Sequence, residues 1–252
     1  MALRLVTDYS CGLADGQLPE LTVVGPDAEK QRFGDPPPRA TYSGAFLSAL
    51  AAGPAPVICL AGPYAYSPAF TAAAGARNDL GRQKVDPNLV HVINAGRAFL
   101  GLGAIAAALA ESGVGPERAL RWLNEEANAA SMWLVARSEA LRGLDPAYGL
   151  EAPKGVPPEE FALLRVRLGA RVMGGFEDVG AALDDAAGRA GVTGACVVLS
   201  APGLGVSADA IAARMPAARR CESTLPAWLS EGLGEVAGFA VSPIPMKEAP
   251  GA

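Results

Sequence analysis

Histidine occurs once in this 252-residue chain, aromatic residues make up only 6% of it, and the four cysteines stand far apart. Each scarcity excludes something. The lone His91 lies inside the apolar run LVHVI with no carboxylate within four positions, so a packed or edge-strand imidazole is expected rather than the base of a Ser-His-Asp triad or a metal ligand. Cys11, Cys59, Cys196 and Cys221 form no C-x-x-C pair and are too sparse for a disulfide scaffold, so reduced thiols are expected. Lysine is also rare. Lys30, Lys84, Lys154 and Lys247 all lie outside glycine loops, and no G-x-x-x-x-G-K-[ST] motif exists, which argues against phosphate-loop nucleotide hydrolysis. A net charge of -5 supplies no general attraction for nucleic acid or anionic surfaces. The longest uncharged apolar candidate, residues 98–110, is too short to span a bilayer, so the chain is not expected to be membrane-integral. Met1 to Ser10 reaches an aspartate at position 8 without the apolar core of a signal peptide, and a cytoplasmic location is expected.

What the chain has is hydrophobic residues, at 50%, with only 19% charged, which is the composition of a folded protein. Short apolar runs at Leu3–Thr7, Glu20–Gly25, Val57–Leu60 and Leu89–Ile93 read as buried strands. They alternate with helical stretches from about Ser43, from Ala69 to Leu80, up to about Glu111 and from Pro116, the last turning Leu120 and Leu123 inward. Three prolines, Pro36 to Pro38, mark an exposed connection. Such alternation predicts a parallel sheet with helices on both faces. Its strand ends fall at Asp8 to Cys11, Gly62 to Ser67 and Asn94 to Arg97, the side on which parallel sheets bind ligands.

Beyond Met132–Ala136 the composition shifts toward Gly, Pro and charge, and the order of elements changes. An element is expected at Ala162–Arg167, strands at Ala195–Ser200 and Gly238–Val241, and helices at Val179–Ala187 and Ser207–Met215. The fold class expected is therefore α/β, in two domains, residues 1–130 and 131–252. The first is a three-layer parallel sheet with flanking helices, the second a smaller two-layer α/β domain. One generic motif stands in the second half: Gly203-Leu204-Gly205-Val206-Ser207-Ala208 follows a strand and opens a helix, with Glu222 about 20 residues on. That pattern admits a nucleotide-cofactor-binding enzyme as the alternative function. Only about 45 residues follow it, too few for a whole dinucleotide fold.

Four segments in the same order resemble the DegV family of bacterial fatty-acid-binding proteins. VTDYSCGL at Val6–Leu13 resembles the family's opening I-T-D-S-[ST]-x-D-L, with Thr7, Asp8, Ser10 and Leu13 in place. VHVINAGRAFLGLG resembles its V-x-V-I-D-S-x-x-x-S-x-G-x-G, with Gly101 and Gly103 kept. SMWLVARSEALRGL and SEGLGEVAGFAV resemble the later Y-F-V-V-D-T-L-E-Y-L-R and H-T-G-P-G-A-L-G-V-V.

The resemblance implies a non-enzymatic protein holding an acyl chain between two α/β domains, with no cofactor beyond the lipid, and a fatty acid kinase as partner. It also implies a polar cluster for the lipid head: Thr41 and Ser43 in the family's T-S-Q-P-S segment, Gly62 and Ser67 in its serine loop, and Ser230, Gly232 and Gly234 near the end. Asp8, Ser10 and Asn94 are expected at nearby strand-end turns. The family histidine is Ser230 here, and its arginine has no basic counterpart near Phe176–Asp178. A carboxylate removed from water needs charge-assisted hydrogen bonds, so these losses point to weaker preference for an ionised head. A scaffold without a ligand is the remaining alternative.

Overall fold

The computed structural model describes residues 3–25, 36–53, 55–62, 68–95, 100–125, 129–144, 153–167, 170–191, 194–199, 204–216, 218–223 and 233–246. Strands β1 (Arg4–Asp8), β2 (Leu21–Val24), β3 (Val57–Ala61) and β4 (Val90–Asn94) form a parallel sheet in the order β2-β1-β3-β4. Helices α1 (Arg39–Ala51) and α2 (Ala69–Leu80) pack on one face, where Tyr42, Phe46, Ala73, Ala76 and Leu80 meet Val6, Val57, Cys59 and Val90. Leu5, Ile58 and Leu60 point the other way, as the twofold period of a strand requires, into a second core. Because both faces are covered, these strands read as unbroken apolar runs rather than alternating ones. α1 starts at Arg39, four residues before the expected Ser43, directly on Pro38, whose fixed φ suits a helix entrance.

Helix α3 (Leu100–Ser112) explains the middle of the molecule. Every residue from Leu100 to Leu109 is buried, and a helix that is apolar all round has to lie inside a protein. It shares one core with Leu5, Ile58 and Leu60 of the parallel sheet and with Met132, Leu134, Leu164, Val236 and Ala240 of a second sheet. Small residues let neighbours approach closely: a Cβ on Gly103 would stand 2.2 Å from the carbonyl oxygen of Cys11. Helix α4 (Pro116–Glu125) buries Ala119, Trp122 and Leu123 on one stripe, with Leu120 partly buried beside them.

The second sheet runs β7-β6-β5-β10-β8-β9, from β5 (Ser131–Arg137), β6 (Phe161–Val166), β7 (Ala170–Phe176), β8 (Gly194–Leu199), β9 (Ala218–Glu222) and β10 (Val236–Ser242). Its pairs are antiparallel apart from β8 with β9. A short helix α5 (Ser138–Arg142) follows β5, α6 (Val179–Ala190) covers the outer face, and α7 (Ala208–Ala212) links β8 to β9. The sequence pattern anticipates β8 and β10 as strands and an element at β6, and the resemblance implies a strand at β5; neither β7 nor β9 is anticipated, and these two are the edges of the sheet. Edge strands bury less and carry charge, so ARVMGGF and ARRCE lack the apolar signal of an interior strand. With them the second sheet has six strands against four in the first.

Candidate functional site

The parallel register puts Thr7 beside Leu60 and Ala61 beside Asn94, so Asp8, Gly62 and Asn94 leave the sheet at one edge, at the C-terminal ends of adjacent strands. Asp8 ends β1 and caps the short 3-10 turn Tyr9–Cys11: its Oδ1 accepts from the backbone N–H of Ser10 at 2.9 Å and from the Ser10 hydroxyl. Gly12 then turns the chain with φ of 75°, a left-handed value suited to glycine. Thr7 beneath it is buried and donates to the Leu60 carbonyl at 3.0 Å.

The other carboxylate oxygen of Asp8 is buried with no hydrogen-bond partner, and so is the hydroxyl of Tyr42, which reaches down from α1 close to the same carboxyl. Burial raises the Asp8 carboxyl above its ordinary 3.8, although the Ser10 hydrogen bonds pull the other way. The Tyr42 hydroxyl is pushed up by burial and by the Asp8 charge. The Cys59 thiol rises for the same two reasons, and burial drives Cys11 to about 12. Thiols so raised stay protonated and are poor nucleophiles. The chemistry on offer at this edge is hydrogen bonding from hydroxyls, amides and a carboxyl biased toward its neutral form.

The anticipated head-group residues are distributed unevenly. Thr41 is exposed in the first turn of α1, whereas Ser43 donates to the Arg39 carbonyl at 3.2 Å and lines a surface groove with Arg39, Leu47, Asp79 and Arg82. Two positions apart on a helix, they point about 200° away from one another. Between them the inward position is Tyr42, which lies ahead of the helix expected from Ser43 and is not among the anticipated site residues; its spacing from Phe46, one turn on, was the available signal. Gly62 is buried, and among the described residues nothing lies within 4 Å of where its Cβ would be. Asn94 is exposed at the end of β4. Gly234 occupies an exposed turn with φ of 66° leading into β10. Ser67, Ser230 and Gly232 lie outside the described residues.

The edge touches the second sheet. A Cβ on Gly12 would stand 2.5 Å from the Ser223 hydroxyl and 2.6 Å from Leu100, and Gln17 donates to the Glu222 carbonyl at 2.9 Å. Ser223 is thus a polar residue at this junction for which the sequence offered no signal.

His91 pairs with Ile58 on β4, an edge strand of the parallel sheet, three positions before the end where Asn94 stands, and is half-buried. Among the described residues no group of three or more His, Cys, Asp or Glu side chains could hold a metal ion, and no helix is long and apolar enough to cross a membrane. Of the glycine motif, Gly203 falls outside the described residues. α7, the helix after it, has five residues, and the Ala210 amide at its start is already bonded to the Ser207 hydroxyl at 3.1 Å. Glu222 is paired with Arg220. So short a helix offers little of the dipole and free amides that a pyrophosphate uses.

No protein-family profile and no curated protein matches the chain. Solved structures do. A DegV family protein of Corynebacterium glutamicum superimposes with a TM-score of 0.70 at 14% identity, covering 99% of this chain and 99% of that one. A DegV lipid-binding protein of Thermotoga maritima gives 0.73 at 11% identity, covering 98% and 100%. A fatty-acid-binding DegV family protein of Thermus thermophilus gives 0.67 at 19% identity, covering 96% and 100%. From end to end, and at a sequence identity below one residue in five, the chain has the fold of the DegV family.

Proposed function

We propose that this protein is a divergent DegV member that binds a fatty acid or related acyl lipid between two lobes, residues 1–130 and 131–252. The observation that carries the proposal is the fold shared over nearly the full length with proteins described as lipid- and fatty-acid-binding. The apolar α3, set between the two sheets, supplies the hydrophobic interior that an acyl chain requires. The lipid head meets Thr41, Gly62 and Ser67 from the parallel half and Ser230, Gly232 and Gly234 from the other. Ser43 belongs to this set only by resemblance, since its hydroxyl is engaged on the α1 groove. Asp8 and Ser10 shape the turn beside the head, with Asn94 at the neighbouring strand end. The protein acts by holding and presenting the lipid, in the cytoplasm, to a kinase, and it performs no catalysis of its own.

Native mass spectrometry of the protein purified from a bacterial host tests this: an acyl species co-purifies, and delipidated protein gains thermal stability when fatty acid is returned, because a ligand that binds only the native state stabilises it. Lipid-free preparations whose melting ignores added fatty acid overturn the proposal. The head-group assignment has its own test. Ser230→His tightens fatty acid binding below about pH 6.5, where imidazole protonates; equal affinity across that range removes Ser230 from the site.

A further inference from the structure

On the outer face of the second sheet one row of paired residues crosses the strands: Phe239, Trp133, Arg165 and Arg171 stand in register on β10, β5, β6 and β7. The row is apolar at the centre and cationic at the edge. Phe239 and Trp133 are buried in the core under α6, and the Trp133 indole N–H is fixed on the Ser131 hydroxyl at 3.1 Å. The Arg165 guanidinium lies over the Trp133 ring, 5.3 Å from its centroid, with its Nε buried and without a partner. Arg171 is directly opposite on the edge strand and exposed, and Arg167 follows two residues after Arg165, also exposed.

Like charges placed directly opposite in a sheet are destabilising. Among the described residues no carboxylate forms an ion pair with any of the three; the charges acting on Arg165 are those of Arg167 and Arg171, which together with burial lower its pKa. The same sheet shows how such an arginine is ordinarily neutralised. Arg137 lies over the Phe161 ring at the same 5.3 Å, and it is paired with Glu160. The two stacks differ in this: one has its anion built in and the other does not.

We infer that Arg165, Arg167 and Arg171 form an oxyanion-binding site, with Arg165 held on Trp133 as its rigid base, and that its ligand is a phosphate group, either free or carried on a lipid headgroup. A guanidinium presents paired N–H donors in a fixed plane that match phosphate oxygens two at a time. Stacking on the indole removes much of the side-chain freedom that an exposed arginine would lose on binding. A phosphate bridging Arg165 and Arg171 through two of its oxygens converts their repulsion into two attractive contacts. The site stands on the far side of the sheet from α3, so it is separate from the acyl-binding proposal and does not depend on it.

Calorimetric titration of the intact protein with inorganic phosphate, at ionic strength held constant with chloride, tests the site. Saturable binding is expected, weakened at least about tenfold in Arg165→Gln and in Arg171→Gln and unchanged in Arg137→Gln. Flotation with phosphatidylcholine vesicles, with and without phosphatidylglycerol, separates the sources: capture by the anionic vesicles assigns the headgroup, and phosphate binding without capture assigns the free ion. Without phosphate, Arg171→Gln is expected to melt higher than the parent, because a repulsion has gone; with phosphate that order narrows or reverses. Absence of both phosphate binding and vesicle capture overturns the inference. So does a variant that keeps the parent's phosphate response, or one that loses no response and self-associates, for then the arginines only guard an edge strand.

Discussion

The two sheets handle polar groups in opposite ways. The parallel sheet is covered on both faces, and the polar side chains at the C-terminal end of β1 are buried: Thr7 and Asp8, with Tyr42 of α1 beside them, are all almost inaccessible. The second sheet, Arg165 of β6 apart, keeps its interior strands largely apolar and carries charge at its edges, where Arg167 and Arg171 on one side and Arg220 and Glu222 on the other stay in water. Buried polar atoms make the parallel half respond to proton and hydrogen-bond changes, and exposed charge makes the other respond to salt and ions.

The largest loss is expected in the core under α6, on the outer face of the second sheet. Phe239→Ala removes a fully buried ring from the central strand of the second sheet and should cost about 3–5 kcal/mol, read by chemical denaturation. If the halves unfold together, tryptophan fluorescence, which reports Trp122, Trp133 and Trp228, should shift its midpoint equally with far-ultraviolet circular dichroism; separate transitions would show that α3 does not couple them. Gly103→Ala attacks the contact of α3 with the Tyr9–Cys11 turn. Its Cβ cannot fit 2.2 Å from a backbone oxygen, so a loss of about 1–3 kcal/mol is expected, where a helix free of that contact would gain from alanine.

Asp8→Asn tests the buried polar edge. The carboxyl has a raised pKa in the folded protein, so the native state holds its proton more tightly than the unfolded chain does. Stability from this group is complete below 3.8 and is lost as pH rises from there through the folded value. Asparagine keeps an acceptor for Ser10 and carries no charge. The variant should therefore be the more stable at neutral pH, with the advantage shrinking as pH falls toward 3.8. A gap between variant and parent that is constant with pH would mean that Asp8 titrates alike in both states. The smallest effect belongs to the outer helix: Asp178 caps α6 by accepting from Ala181 N–H at 2.8 Å, and Asp178→Ala should cost about 1 kcal/mol in the same denaturation assay.

By itself the sequence determined the interior elements. Apolar runs of strand length fixed β1 to β4, an uncharged stretch too short for a membrane became the central α3, and the strand ends beside Asp8, Gly62 and Asn94 could be placed on one edge because parallel pairing leaves no other choice. Interior elements are legible because burial imposes a composition on every position. Tertiary structure alone decided the rest. The edge strands β7 and β9 are held by pairing rather than by composition, and so ARVMGGF and ARRCE look like loops until a neighbour is present. Tyr42 came to stand close to the Asp8 carboxyl, and Ser43 to line a groove, only through the packing of α1 against the sheet. Arg165 and Arg171, six residues apart in a charged stretch, became one cationic pair only through hairpin register, a cross-strand property that no pattern along a single strand encodes.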